Sequence, residues 1–138
     1  MMDVVLRGED VRGWVVARGE RRAVGDEAEA LAVRYLEAQG WRVRARNWPC
    51  RYGELDVVVE REELVCFVEV RMRSSAVWGD PAHTVSFAKQ RRVVKAALHY
   101  LFAHELHGRM IRFDVVSVVG RGERATVEHI PGAFDAGM

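Results

Sequence analysis

Gly53-Glu54-Leu55-Asp56-Val57-Val58-Val59-Glu60-Arg61-Glu62-Glu63-Leu64-Val65-Cys66-Phe67-Val68-Glu69-Val70-Arg71 holds two β-branched runs, Glu54 to Glu60 and Leu64 to Arg71, on either side of the polar Arg61-Glu62-Glu63. Such a pattern predicts a β-hairpin. A turn centred between Glu62 and Glu63 pairs residues whose numbers sum to 125, which sets Asp56 opposite Glu69. Directly opposed residues on antiparallel strands bring their Cβ atoms to roughly 5 Å, where like charges repel unless something compensates. Both acids also lie in apolar surroundings, Asp56 before Val57-Val58-Val59 and Glu69 between Val68 and Val70, where an uncompensated carboxylate is costly. A divalent cation is one compensator, and hard oxygen ligands suit Mg²⁺ or Mn²⁺. Ion pairing with Arg71 or Arg51 is the other. Glu54, two residues before Asp56 on the same strand face, is either a further ligand or a solvated side chain.

Upstream, Ala28, Leu31, Ala32, Tyr35 and Leu36 recur at helical spacing, with Asp26 and Glu27 in a first turn and Gly40 closing the end. These predict an amphipathic helix starting at Gly25. Glu29 falls at the edge of its apolar stripe, looking either into the sheet or into solvent. Trp41 to Arg46 reads as a half-exposed strand that Asn47-Trp48-Pro49 breaks. Downstream, a loop with Gly79, Asp80 and Pro81 leads to a helix over Ser86 to His104, with Ser86 as N-cap and Phe87, Gln90, Val94, Ala97 and Leu101 on one side. Strands over Arg112 to Val119 and Thr126 to Ile130 follow, joined by a turn at Gly120 to Arg124. This order indicates an α/β domain over residues 25–138, a mixed central β-sheet flanked by helices, after an N-terminal extension at 1–24 with no assigned element.

A chain of 138 residues with 30% charged and 49% hydrophobic composition accommodates one core. The formal charge is only +1, yet two of the 21 basic residues are lysines, Lys89 and Lys95, and the remaining 19 are arginines. Trp41 to Arg51 carries Arg42, Arg44, Arg46 and Arg51 without an acid, and Phe87 to Lys95 carries Lys89, Arg91, Arg92 and Lys95 likewise. These are either phosphate-facing patches or solvated faces. Cys50 and Cys66 lack metal-ligand spacing and read as thiols in a reducing cytoplasm. With Asp3, Arg7, Glu9 and Asp10 interrupting the N-terminal segment and no apolar run of membrane length, neither secretion nor a membrane partner is expected. His99, His104 and His107 share no helix face suited to a metal, and Ser74-Ser75 has no histidine at nucleophile-base spacing. Trp48 and Trp78 are expected to pack internally rather than stack on bases.

Taken together, Gly25-x-x-Ala28-Glu29-x-x-Ala32-x-x-Tyr35-Leu36, Arg46-Asn47-Trp48, Gly53-Glu54-Leu55-Asp56, Phe67-Val68-Glu69-Val70-Arg71-x-Arg73-Ser74-Ser75, Lys89-Gln90-Arg91-Arg92 and Arg112-Phe113-Asp114-Val115-Val116 resemble the YraN-like family, in unbroken order from about Gly25 to Phe134. That small bacterial family looks like a branch of the PD-(D/E)XK restriction-endonuclease-like superfamily, related to archaeal Holliday-junction resolvases. The resemblance implies a restriction-endonuclease-like three-layer fold and Mg²⁺- or Mn²⁺-dependent cleavage of DNA, branched DNA included. It matches Glu29 to the helix-borne acid, Asp56 to the motif aspartate and Glu69 to the acid of the E-x-K half-motif, all three as metal ligands. Arg71 occupies the usual lysine position and Met72 follows where the family has a small polar residue. Arginine can clamp a phosphate but cannot act as a base, since its pKa exceeds about 12. Lys89 is then a candidate for a relocated lysine or a phosphate contact, and Arg46, Arg51, Arg73, Arg91 and Arg92 are further expected nucleic-acid contacts. The alternative is a non-catalytic nucleic-acid-binding or scaffold protein with a degenerate site. A homodimer follows by analogy with the resolvases.

Overall fold

The computed structural model describes residues 4–5, 16–73 and 85–137. The Gly79, Asp80 and Pro81 loop, Ser74, Ser75 and Trp78 lie outside the described residues. Strands β1 (Val4–Val5) and β2 (Val16–Ala17) pair antiparallel ahead of helix α1 (Arg18–Ala38). Then come β3 (Arg42–Cys50), β4 (Gly53–Arg61), β5 (Leu64–Arg73), α2 (Phe87–Ala103), β6 (Met110–Val119) and β7 (Thr126–Phe134). Among the described residues these last five strands form one mixed sheet in the order β3-β4-β5-β6-β7, antiparallel except where β5 and β6 run parallel. A parallel pair needs a crossover, and α2 lies between β5 and β6 in the chain.

The hairpin forms as its residues dictate. Arg61 pairs with Leu64 and Val57 with Val68, and Glu62 takes the positive φ of 56° that the two-residue turn requires. From α1, Val24, Ala28, Ala32 and Leu36 pack with Val57, Val59, Cys66, Val68 and Val70. From α2, Val93, Ala96, Ala97 and Tyr100 pack with Leu55, Val58, Val65 and Phe67. The valines of β4 thus alternate between two helix-bearing clusters, and strand β5 is buried on both faces.

Four expectations shift. Helix α1 begins at Arg18 rather than Gly25 and crosses the expected 24/25 boundary. A mid-helix glycine costs about 1 kcal/mol relative to alanine, so it reads as a boundary. Here burial of Val24 and Ala28 offsets that cost, and a Cβ on Gly25 would lie 3.6 Å from Met72 Cε. Strand β3 continues through Asn47-Trp48-Pro49, with Asn47 at φ 50°, because β3 is an edge strand and Pro49 has no inner ladder to break. Strand β7, the other edge, passes Pro131 for the same reason. The inner face of α2 is Val93, Ala96, Ala97, Tyr100 and Leu101, which leaves Phe87 69% exposed. Tyr100 fixes that rotation, because its hydroxyl accepts a hydrogen bond from Arg44 Nε at 3.0 Å across the α2 face.

Two buried acids tie the sheet together. Glu60 accepts from Arg42, from Arg44 at 2.8 Å and from Arg109 at 2.9 Å, and Arg109 also donates to the Glu62 and Glu63 carbonyls at the hairpin turn. Asp114 is fully buried on β6, bonded by Arg112 Nε and Nη2 each at 2.8 Å, the Gly132 amide at 2.9 Å and His129 Nε2 at 2.6 Å. Burial alone would raise its pKa. The Arg112, His129 and Gly132 bonds outweigh burial and hold the carboxyl well below the usual range.

Removing one member of a buried ionic group costs roughly 3–5 kcal/mol, so Asp114→Ala should lower the unfolding free energy by about that amount in urea titrations. Folding depresses this pKa, so the Asp114 contribution is complete above the unfolded value of about 3.9 and is lost as pH falls toward the folded value. The gap between wild type and variant should therefore narrow below about pH 4. A gap constant with pH would show that the charge carries none of it.

Candidate functional site

Strict alternation along β4 fails at one place. Val57 and Val59 pack in the α1 cluster and Val58 in the α2 cluster, but Leu55, an odd-numbered neighbour of Val57, also packs with α2. The slip falls on Asp56. The β4–β5 ladder ends at the Val57–Val68 rung, one step short of the direct Asp56–Glu69 opposition that the register predicts. In place of a ladder partner the Val70 amide donates to Asp56 Oδ2 at 2.9 Å. The aspartate carboxylate therefore stands in for strand backbone where β4 parts from β5.

On the α1 side of this parting stands Glu29. Burial first, and then the negative charge of Asp56, raise its pKa to about 7, against an Asn47 side-chain hydrogen bond and the nearby Arg46 charge. Its Oε1 is buried with no hydrogen-bond partner among the described residues. Asn47 is the residue expected to break β3; the left-handed backbone that asparagine tolerates places it within the continuing strand.

On the α2 side, β5 changes character after Phe67. Glu69, Arg71 and Arg73 are 1%, 0% and 2% exposed and alternate with Val70 and Met72, which belong to the α1 cluster. Lys89 of α2 reaches Glu69 Oε1 at 3.6 Å. Ser86 is the N-cap as expected, accepting from the Lys89 amide at 3.1 Å, and so fixes the turn that carries Lys89.

The expected acids thus sit on α1, β4 and β5 around one opening in the sheet, with Glu54 exposed on the rim. They do not close into a ready-made cage: among the described residues no three histidine, cysteine, aspartate or glutamate side chains converge as a metal-ligand set. The expected basic contacts divide. Arg46, Arg51, Arg91 and Arg92 are exposed, whereas Arg73 is buried, because it alternates with Met72 on a strand covered on both faces. Arg42 and Arg44 are engaged by Glu60.

Tyr52, which carries no motif or periodic signal in the sequence, joins the two basic stretches. Arg51 Cζ lies 5.3 Å and Lys95 Nζ 5.6 Å from its ring centroid, with the His99 ring at 5.1 Å. Beside it a cleft of about 60 Å³ opens between the β3–β4 turn and α2, lined by Tyr52, Glu54, Lys89 and Arg92. Trp48 packs edge-on against Tyr100 at 5.2 Å, inside the fold rather than at this surface. Cys66 is buried beside Asp114; burial first and then that charge raise its pKa, which leaves an inert thiol.

Fold and site together define an α/β domain with a five-stranded mixed sheet, two long helices among the described residues, and acidic side chains gathered where two strands part. No helix among the described residues is long and apolar enough to cross a membrane. The family described as Uncharacterised protein family UPF0102 matches residues 28–118, a span that includes Glu29, Asp56, Glu69, Arg71 and Lys89. The chain is 79% identical over 122 residues to a UPF0102 protein of Myxococcus xanthus, covering 88% of this chain and 97% of that relative. It is 45% identical over 115 residues to one of Anaeromyxobacter dehalogenans, covering 83% and 86%, and 40% identical over 122 residues to one of Nocardia farcinica, covering 87% and 96%. The chain belongs to the UPF0102 family.

A carboxyl held above its ordinary pKa favours the protonated folded state. The Glu29 contribution to stability is intact below about 4.5 and is lost as pH rises through about 7. Glu29→Gln should accordingly raise the melting temperature at pH 8 while changing it little at pH 5. Equal shifts at both pH values would mean that the ionised form is not held against its preference.

Proposed function

We propose that this protein is a divalent-metal-dependent nuclease acting on DNA, with a fold of the restriction-endonuclease-like, PD-(D/E)XK kind that the YraN-like resemblance implies. The observation that carries the proposal is the parting of β4 from β5 at Asp56, with Glu29 on one side and Glu69 on the other. The donor chemistry fits a hard cation: carboxylates only, one of them with a buried oxygen that lacks a hydrogen bond among the described residues. Asp56 and Glu69 would hold the ion, with Glu29 adjoining. When bound, such an ion lowers the pKa of an attacking water and neutralises charge building on the phosphate.

The chain's own residues supply orientation and charge. The Val70 amide fixes the Asp56 carboxylate, and Lys89 offsets the Glu69 charge. Exposed Arg46, Arg51, Arg91 and Arg92 would take backbone phosphates, giving salt-sensitive binding that is largely independent of sequence. Branched DNA as substrate and a homodimer belong to the same reading, by likeness to junction resolvases.

A second reading, a nucleic-acid-binding or scaffold protein without catalysis, is favoured by Arg71. It stands in the lysine position, is fully buried and cannot serve as a base.

With Mg²⁺ or Mn²⁺ the purified protein should cleave flapped, branched or single-stranded DNA, and Asp56→Asn and Glu69→Gln should each slow cleavage by about 100-fold or more while binding persists. DNA binding with no cleavage of any of these substrates would decide for the scaffold reading. Cleavage that survives both substitutions would remove the site.

A further inference from the structure

We infer that the cleft between the β3–β4 turn and α2 is a phosphate subsite for one nucleic-acid strand, in which Lys89, not Arg71, presents the site's cation to the substrate. This inference rests on the nuclease reading and specifies which strand surface that reading uses.

The two cations differ in access. Arg71 is 0% exposed, on a strand covered by both layers, so a phosphate meets it only if the fold opens. The Lys89 side chain is 18% exposed, lines the cleft, and still stands 3.6 Å from Glu69 Oε1. It is therefore a cation that touches both the acidic centre and a space open to solvent. The cleft, about 60 Å³ and open to solvent, has room for more than one water-sized group.

Charge sets the terms of entry. Among the described residues, Lys89 and Arg92 on the α2 wall face Glu54 on the other, and Glu69 adjoins Lys89, so two cations meet two acids. A bare phosphate gains little from a balanced cleft, whereas a phosphate arriving with a divalent cation shifts the balance toward binding. From the cleft the strand's track continues past Tyr52, whose ring carries Arg51 and Lys95. That strip sets one aromatic ring between two cations, the pair of residue types that single-strand binding surfaces combine.

The composition provides the probe, since Lys89 and Lys95 are the only lysines. Protein labelled with ¹³C at the lysine ε carbon should give two lysine signals, assigned with Lys95→Arg. In Ca²⁺, chosen to allow binding without turnover, a short single-stranded DNA should move the Lys89 signal, and in EDTA it should not. Lys89→Met, assayed at a temperature where circular dichroism shows it folded, should weaken Ca²⁺-dependent binding about tenfold and reduce the slope of log affinity against log salt by about 1. If fluorescence anisotropy shows the DNA bound while the Lys89 signal stays fixed, the subsite is wrong and the nucleic-acid reading stands. Should no DNA bind in Ca²⁺, the reading falls and takes the subsite with it.

Discussion

The burial of strand β5 on both faces is the constraint from which the rest of the structure follows. Its first half meets that constraint in the ordinary way, with Val65 and Phe67 toward α2 and Cys66 and Val68 toward α1. Its second half does not, because Glu69, Arg71 and Arg73 take the α2-facing positions and are as buried as the valines. Charges removed from water in this way cost several kcal/mol each unless neighbours match them. Glu69 sets one negative charge on the same face as Arg71 and Arg73, and Lys89 meets Glu69 from the helix above. The capped first turn of α2 brings Lys89 to this set.

The same strand explains the position of Asp56. Had β4 kept its ladder with β5 one rung further, Asp56 and Glu69 would face each other as like charges at close range. The alternation slip lets the strands part, and the Asp56 carboxylate takes the Val70 amide that the lost ladder would otherwise leave without its strand partner. One side chain thereby satisfies a backbone donor and presents negative charge in the plane of the sheet. From there its field reaches α1, where it is one of the causes that raise the Glu29 pKa. The opening couples the two helical layers electrostatically, something a regular sheet would prevent by filling the space with valines.

Much of this was legible in the residues. The β-branched runs and their polar turn specify the hairpin and its register, because period-two patterning and a two-residue turn leave no competing alignment. The N-cap at Ser86 and the helix behind it follow from local chemistry alone. Asp56 and Glu69 drew notice because charged residues inside apolar strands are costly wherever they fold. What could not be read is tertiary in origin. Gly25 and Pro49 are breakers by propensity, and burial of Val24 and Ala28 in one case and an edge position in the other make them tolerable. The face of α2 turns on the Tyr100–Arg44 hydrogen bond, a contact between residues 56 apart in the chain. Tyr52 gains meaning only when the fold brings Arg51 and Lys95 to the same ring.

The near-zero net charge conceals a separation that matters more than its value. Arg42, Arg44 and Arg109 are drawn onto Glu60, and Arg112 onto Asp114, so these arginines act as struts for the hairpin turn and the β6–β7 edge. Glu60 and Asp114 together cancel half of these four positive charges at close range. The cations around Tyr52 lie on the outer face of α2 and on the β3–β4 turn, and the acids near them lie mostly inside the sheet opening. An approaching polyanion therefore meets exposed cations together with Glu54 on the rim, and Glu69 only deeper in the site. On the proposed nuclease reading, such an order suits a phosphodiester whose charge is shared with a divalent cation better than a simple acidic peptide.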